Sequence, residues 1–122
     1  MIGKTVLTVD DSQTVRDMLL AALTDMGHQV IQAKDGLQGL EQLRGQSPDV
    51  IITDINMPRL DGFGFIEEVR RDPQHRATPI LILTTESQQS RKDRARRAGA
   101  TGWIVKPFDP AKLAEAIRRV TA

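Results

Sequence analysis

The sequence lacks several features that are typical of disulfide-bonded, membrane and secreted proteins. It contains no cysteine, which excludes disulfide bonds, thiolate metal ligands and cysteine nucleophiles. Its apolar runs are only a few residues long, too short to cross a bilayer. Residues 1–4 show no trace of the long apolar stretch that opens a secretory signal. We therefore expect a cytoplasmic protein without a membrane segment.

Net charge is also low, because 17 basic and 16 acidic side chains leave only +1 at pH 7. The balance hides an asymmetry: residues 1–61 carry a net charge of −4 and residues 62–122 a net charge of +5. Opposite signs in the two halves indicate an acidic site in one part and a basic surface in another. A length of 122 residues predicts a single domain over residues 1–122, with no second domain.

Five short apolar runs, rich in β-branched residues, alternate with segments of helical period. The runs cover residues 6–9, 30–31, 50–52, 80–83 and 103–105. Their continuous apolar character is typical of strands covered on both faces. We expect Ser12, Asp35, Asp61 and Asp109 to begin four of the helices. The alternation predicts an α/β fold with a doubly wound, five-stranded parallel sheet and five helices.

Each of the four capped helices should present an apolar face to the sheet. The residues expected on these faces are Val15, Met18, Leu19, Ala22, Leu23 and Met26, then Leu37, Leu40 and Leu43, then Phe63, Ile66 and Val69, and finally Leu113, Ile117 and Val120.

Polar side chains follow the ends of four of the predicted strands. Asp10 and Asp11 follow the first, Asp54 the third, Thr84 ends the fourth and Lys106 follows the fifth. Taken singly, each could be a helix cap or a solvated strand end. In a doubly wound sheet, however, the carboxyl ends of the strands meet at one edge, where ligands bind. Their convergence on that edge predicts a functional site.

Three carboxylates close together repel one another, since two at about 4 Å cost about 4 kcal/mol at an effective dielectric constant near 20. They require a cation, and an all-oxygen donor set suits Mg²⁺ better than a transition metal. A divalent cation with a lysine and a hydroxyl nearby is common equipment for phosphoryl transfer. Because an aspartate can form an acyl phosphate, Asp54 at the central strand is the expected nucleophile.

Five motifs in this order resemble the receiver domain of response regulators in two-component signalling. They are Asp10-Asp11-Ser12, Asp54-Ile55-Asn56-Met57-Pro58 with Asp61-Gly62, Thr84, Ala98-Gly99-Ala100, and Lys106-Pro107-Phe108. The resemblance extends from Val6 to Val120 and is strongest to single-domain regulators of chemotaxis, without an output domain. It implies a flavodoxin-like three-layer sandwich with strand order 2-1-3-4-5.

The resemblance also implies roles for individual residues. Asp54 would accept a phosphoryl group from a histidine kinase, with Lys106 beside the phosphoryl oxygens. Mg²⁺ would be held by Asp11, by Asp54 and by the main-chain carbonyl of Asn56, while Asp10 would act through a water molecule. The peptide bond between Lys106 and Pro107 would be cis.

Signal output would involve Thr84, which moves to hydrogen-bond the phosphoryl group, and an aromatic ring that fills the space it leaves. Trp103 holds the ring position, where the family usually has tyrosine or phenylalanine. It is either this switch residue or a half-buried anchor that does not move. Asn56, Thr85 and Glu86 are expected to tune dephosphorylation.

The segment 87–98 carries five basic residues and a single acidic one, Asp93. It is interpreted as a loosely held helix on the output face or as a solvated charged surface. Nucleic-acid binding is disfavoured, because aromatic residues are not interleaved with the basic ones. His28 and His75 are interpreted as surface or loop residues.

The main functional hypothesis is a monomeric signalling switch. It is phosphorylated at Asp54 in a Mg²⁺-dependent reaction and then binds a partner protein, most simply a flagellar motor switch protein. It catalyses only its own phosphorylation and dephosphorylation. One alternative is a phosphate sink or relay intermediate that drains the kinase without binding the motor. The other is a phosphatase for external substrates, which the short connections between elements disfavour.

Overall fold

The computed structural model describes residues 3–122, so the first two residues of the predicted domain lie outside the described part. The strands are β1 (Thr5–Val9), β2 (Gln29–Ala33), β3 (Val50–Thr53), β4 (Ile80–Thr84) and β5 (Gly102–Val105). The helices are α1 (Gln13–Asp25), α2 (Gly36–Gly45), α3 (Gly62–Arg71), α4 (Gln89–Ala98) and α5 (Pro110–Val120), with a 3₁₀ turn over Pro73–His75.

All neighbouring strands are parallel and lie in the order β2-β1-β3-β4-β5, which confirms the predicted fold. Side chains alternate between the two faces of each strand. In β1, Leu7 and Val9 pack on the side of α2, α3 and α4, whereas Val6 packs on the side of α1 and α5. The two apolar layers make a three-layer sandwich around the sheet.

Four of the helices begin as the sequence predicts. The side chains of Ser12, Asp35, Asp61 and Asp109 each accept a hydrogen bond from a main-chain N–H in the first turn of α1, α2, α3 and α5 respectively. Helix α4 differs, because Gln88 at its N-terminus makes no such side-chain bond. Within the described residues no helix is both long and apolar enough to cross a membrane.

Several expectations about burial are wrong. The edge strands are not covered on both faces: β2 is mostly half-buried and Val105 of β5 is 42% exposed. Met18 and Leu37, expected on core-facing stripes, are also exposed. His75, interpreted as a surface or loop residue, is buried in the 3₁₀ turn, where its Nε2 lies 3.1 Å from the main-chain oxygen of Leu43.

Helix α3 contacts the sheet more closely than its apolar pattern indicates. Phe65, which does not belong to the predicted stripe, is fully buried beside Phe63 and Ile66. Gly62 permits this approach: a Cβ atom there would lie 2.3 Å from the main-chain oxygen of Asp54 and 2.7 Å from the Cα of Ile55. The first turn of α3 is thereby pressed against the end of β3.

We therefore predict that Gly62→Ala lowers the free energy of unfolding by about 1–3 kcal/mol, because the added methyl group meets rigid main chain. Gly45→Ala is the matched control, since a Cβ there meets open space. The control should leave stability unchanged or raise it by up to about 1 kcal/mol. Urea unfolding of both variants measures the difference, and equal stabilities would contradict the proposed packing.

Candidate functional site

The strands bring Asp10, Asp54, Thr84 and Lys106 to one edge of the sheet. Main-chain hydrogen bonds continue the ladders past the strand ends, from Asp54 N to Val9 O at 2.9 Å and from Lys106 N to Thr84 O at 2.8 Å. These bonds fix the main-chain positions of Asp54 and Lys106, from which their side chains extend. The peptide bond between Lys106 and Pro107 is cis.

The Lys106 ammonium lies between two carboxylates. Its Nζ is 2.8 Å from Asp10 Oδ2 and 2.8 Å from Asp54 Oδ2. The other oxygens of these carboxylates accept main-chain hydrogen bonds, Asp10 Oδ1 from Ser12 N at 2.9 Å and Asp54 Oδ1 from Ile55 N at 2.6 Å. Both carboxylates are buried, but Asp54 keeps 7% of its surface exposed against 1% for Asp10. Asp54 is therefore held in place and is the less enclosed of the two.

The acidic residues form a set that fits a hard divalent cation. Carboxylate oxygens of Asp10, Asp11 and Asp54 lie within 4.8 Å of one another, and Asp11 is exposed to solvent. Asn56, two residues after Asp54, is exposed in the same loop. One lysine cannot balance three carboxylates, and oxygen-only ligands suit Mg²⁺. The donor chemistry therefore agrees with a magnesium site.

Burial and ion pairing act on these groups in opposite directions. Burial raises the pKa of the Asp10 carboxyl and outweighs the hydrogen bonds from Lys106 and Ser12, which lower it. For Lys106, burial lowers the pKa, but hydrogen bonds to Asp10 and Asp54 outweigh it and leave the pKa above its ordinary value. The stabilisation that comes from this lysine is full below its ordinary pKa and is lost only as pH rises through the raised value.

The expected switch residues lie beside this site. Thr84 is buried, and its Oγ1 accepts a hydrogen bond from Glu86 N at 3.4 Å, while Thr85 is exposed. Trp103 is half-buried against the layer of α3 and α4, and its indole N–H donates to Glu86 O at 3.1 Å. The loop after β4 is thus joined both to Thr84 and to the aromatic ring.

Two features near the site were not identified from the sequence. Arg16 on α1 donates a hydrogen bond to the main-chain oxygen of Asp10 at 2.6 Å. Arg59, in the loop after β3, forms a pair of hydrogen bonds with the buried carboxylate of Asp35. Asp35 was recognisable as a helix cap, but no local signal in the sequence pairs it with an arginine 24 residues away.

Comparison with known proteins identifies the family. Residues 6–118 match the response regulator receiver domain. The chain is 38% identical over 117 residues to protein PilH of Pseudomonas aeruginosa, covering 96% of this chain and 97% of that protein. It is 43% identical to the solved chemotaxis protein CheY4 of Vibrio cholerae, with a TM-score of 0.93 and coverage of 98% and 99% of the two chains.

A third similar protein is the receiver domain of sensor histidine kinase PA1611 from Pseudomonas aeruginosa, solved with a magnesium ion in its active-site cleft. It is 29% identical, with a TM-score of 0.91 and 98% coverage of each chain. The chain described here belongs to the response regulator receiver domain family. Its function is that of a receiver in a two-component phosphorelay, a class that acts as a phospho-acceptor switch and binds Mg²⁺ at an acidic pocket.

Removing the ammonium would leave Asp10 and Asp54 facing each other without a counter-charge. We expect Lys106→Met to lower the free energy of unfolding by about 3 kcal/mol at neutral pH without divalent cations. The loss should shrink as pH falls, because protonation of a carboxyl removes the repulsion. Urea unfolding at neutral and mildly acidic pH measures it.

Lys112→Met, which removes an exposed lysine from α5, is the control. An equal, pH-independent loss in both variants would show that Lys106 does not neutralise the two carboxylates.

Proposed function

We propose that this chain is a single-domain response regulator, with all of its residues 1–122 in one receiver domain. A cytoplasmic histidine kinase phosphorylates it on Asp54. The observation that carries the proposal is the placement of Asp54, which is 2.8 Å from the Lys106 ammonium and, although buried, keeps 7% of its surface exposed. A nucleophile needs both access and nearby positive charge to meet an anionic phosphoryl group.

In the proposed transfer, a carboxylate oxygen of Asp54 attacks the phosphorus atom of a phosphohistidine. The new O–P bond forms as the N–P bond breaks, and the electron pair of the broken bond stays on the imidazole nitrogen. Lys106, which bridges Asp10 and Asp54 beforehand, then donates to a phosphoryl oxygen, and the Thr84 hydroxyl donates to another. The negative charge of the phosphoryl group would thus be shared by Lys106 and Thr84, which the strand ends already hold in place.

Mg²⁺ would be held directly by Asp11, Asp54 and the main-chain carbonyl of Asn56, and by Asp10 through a water molecule. When bound, it draws negative charge away from the phosphoryl oxygens. The three carboxylates would fix its position, and the Ser12 and Ile55 N–H groups keep the carboxylates of Asp10 and Asp54 from turning away. Asn56, two residues after Asp54, and Thr85 and Glu86, directly after Thr84, would set the rate at which water removes the phosphoryl group.

Incubation with Mg²⁺ and a small-molecule phosphodonor should add one phosphoryl group to the wild-type chain, as measured by intact-protein mass spectrometry. Asp54→Asn should abolish this addition, because an amide oxygen is a poor nucleophile. Asp61→Asn is the control, since asparagine still caps α3 and the carboxylate it removes lies in the same loop. Phosphorylation of Asp54→Asn at the wild-type rate would overturn the assignment.

We place the output face on α4, β5 and α5. A groove of about 380 Å³ between β5 and α5 is lined by Trp103, Ile104 and Val120, with Lys112 and Arg119 at its edge. Phosphorylation at Asp54 would reach this face through Thr84 and the loop that Trp103 contacts. The similarity to CheY4, a chemotaxis protein, supports a flagellar motor switch protein as the partner.

A phosphate sink is the second candidate, and a specific contact favours it. The Trp103 indole is bonded to Glu86 O and is larger than tyrosine, which opposes rotation of the ring into a space left by Thr84. The similarity to PilH supports partners other than the motor. In a sink the chain would exchange phosphoryl groups with the kinase, and the output face would stay unchanged.

The switch hypothesis predicts that the motor switch protein binds the phosphorylated chain at least about tenfold more tightly than the unphosphorylated one, a coupling of about 1.4 kcal/mol. Surface plasmon resonance against the kinase and the motor switch protein separates the two candidates. Phosphorylation-independent or absent binding to the motor protein, together with binding to the kinase, would favour the sink.

A further inference from the structure

The loop between β3 and α3, residues 54–61, carries the proposed phosphorylation site and the proposed main-chain ligand of Mg²⁺. Its two ends are joined by a hydrogen bond from Gly62 N to Ile55 O at 2.8 Å. Beyond Asn56 the chain runs outwards through Pro58 to Arg59, both exposed. Within this outer part Leu60 N donates to Pro58 O at 2.8 Å, and its remaining support comes from contacts with another element.

Arg59 provides those contacts. Its Nε donates to Asp35 Oδ2 at 2.8 Å and its second terminal nitrogen donates to Asp35 Oδ1 at 3.0 Å, a two-bond pairing that fixes both distance and orientation. The neighbouring Leu60 O accepts a hydrogen bond from Gly36 N at 3.2 Å. The outer part of the loop is thus attached to the first turn of α2.

Asp35 is a rigid anchor. It is buried, and besides holding Arg59 it caps α2 by accepting a hydrogen bond from Gln38 N at 2.8 Å. The pKa of the Asp35 carboxyl lies below its ordinary value, mainly because of the hydrogen bonds from Arg59. The Arg59 side chain is 52% exposed, so its pairing with Asp35, and not packing in the core, keeps it in place.

The backbone of Arg59 shows that this conformation needs support. Its φ is +68°, in the left-handed region that residues with a side chain seldom adopt, and it is the one non-glycine residue with positive φ among residues 3–122. Without the pairing, the loop would relax towards ordinary backbone angles. Such relaxation would displace Asn56, three residues earlier in the same loop.

We infer that Arg59, through its paired hydrogen bonds to Asp35, is a positioning residue that keeps the Asn56 main-chain carbonyl where it can bind Mg²⁺. The inference rests on the proposed function, in which that carbonyl is a metal ligand. Arg59 touches neither the phosphoryl group nor the metal. It acts on metal affinity through the loop and leaves the nucleophile, the lysine and the threonine as they are.

The test is a calorimetric titration of the folded chain with MgCl₂. Arg59→Gln and Asp35→Asn each remove the pairing, and asparagine still caps α2. Each should raise the Kd for Mg²⁺ about tenfold. The double variant should be no weaker than either single one, since both remove the same interaction. Arg76→Gln, which removes an exposed arginine elsewhere, should leave the Kd unchanged.

Arg59→Gly separates the two parts of the argument. Glycine adopts φ near +68° without strain, so this variant loses the pairing but not the backbone preference. Its Kd should lie between those of the wild type and Arg59→Gln. Phosphorylation with a small phosphodonor adds a kinetic readout: Arg59→Gln should need about tenfold more Mg²⁺ for half-maximal rate and reach the wild-type rate at saturation.

A wild-type Kd in Arg59→Gln, or losses that add up in the double variant, would overturn the inference while leaving the proposed function intact. A wild-type chain that binds no Mg²⁺ and accepts no phosphoryl group would overturn both. Should Arg59→Gln not fold, Arg59→Lys keeps the charge but cannot make the two-bond pairing, and a wild-type Kd there would count equally against the inference.

Discussion

The structure of the site depends on one cation held between two carboxylates. The ammonium of Lys106 lies at hydrogen-bond distance from both Asp10 and Asp54, at an edge where Asp10 is already buried. Without that charge the two carboxylates would repel each other or one would be protonated. The same arrangement explains the proposed chemistry, because groups that balance the carboxylates are also the groups that would bind an incoming phosphoryl anion. The site therefore holds three carboxylates against one ammonium, a negative charge that Mg²⁺ would balance when a phosphoryl group binds.

The fold makes this arrangement possible by parallel strand pairing. The ends of β1, β3, β4 and β5 lie at one edge, and main-chain hydrogen bonds extend the ladder to Asp54 and Lys106. On this rigid base the loops differ in how firmly they are attached. The loop after β3 is tied to α2 by Arg59 and Asp35, whereas α4 begins without a side-chain cap. Under the proposed function, a change of charge at Asp54 would thus be expressed at the start of α4 and in β5, since Trp103 of β5 is bonded to the loop that precedes α4.

Much of this could be predicted from the sequence, and the exceptions have physical reasons. Apolar periodicity and aspartate or serine caps are local signals, so element order, helix starts and the convergence of Asp10, Asp54 and Lys106 followed from them. Burial depends on which elements cover a residue, and apolar periodicity carries no information about that. The edge strands lack a neighbouring strand on one side, and His75 is buried by elements distant in the sequence. The pairing of Arg59 with Asp35 involves a left-handed backbone conformation at Arg59. Such a conformation is predictable from sequence mainly where a glycine stands, and none stands here. Family resemblance supplied roles for single residues, but not the contacts that hold them.

The central claim is that the carboxylate–lysine cluster is the place where a phosphoryl group is held. A crystal structure of the chain grown with Mg²⁺ and beryllium fluoride, a phosphoryl mimic, tests it most directly. The mimic should be bonded to a carboxylate oxygen of Asp54, with Lys106 Nζ in contact with its fluorine atoms and the metal ion beside Asp11 and the Asn56 carbonyl. Density for the mimic at another residue, or an undisturbed Lys106 bridge between Asp10 and Asp54 at saturating concentrations, would contradict the account.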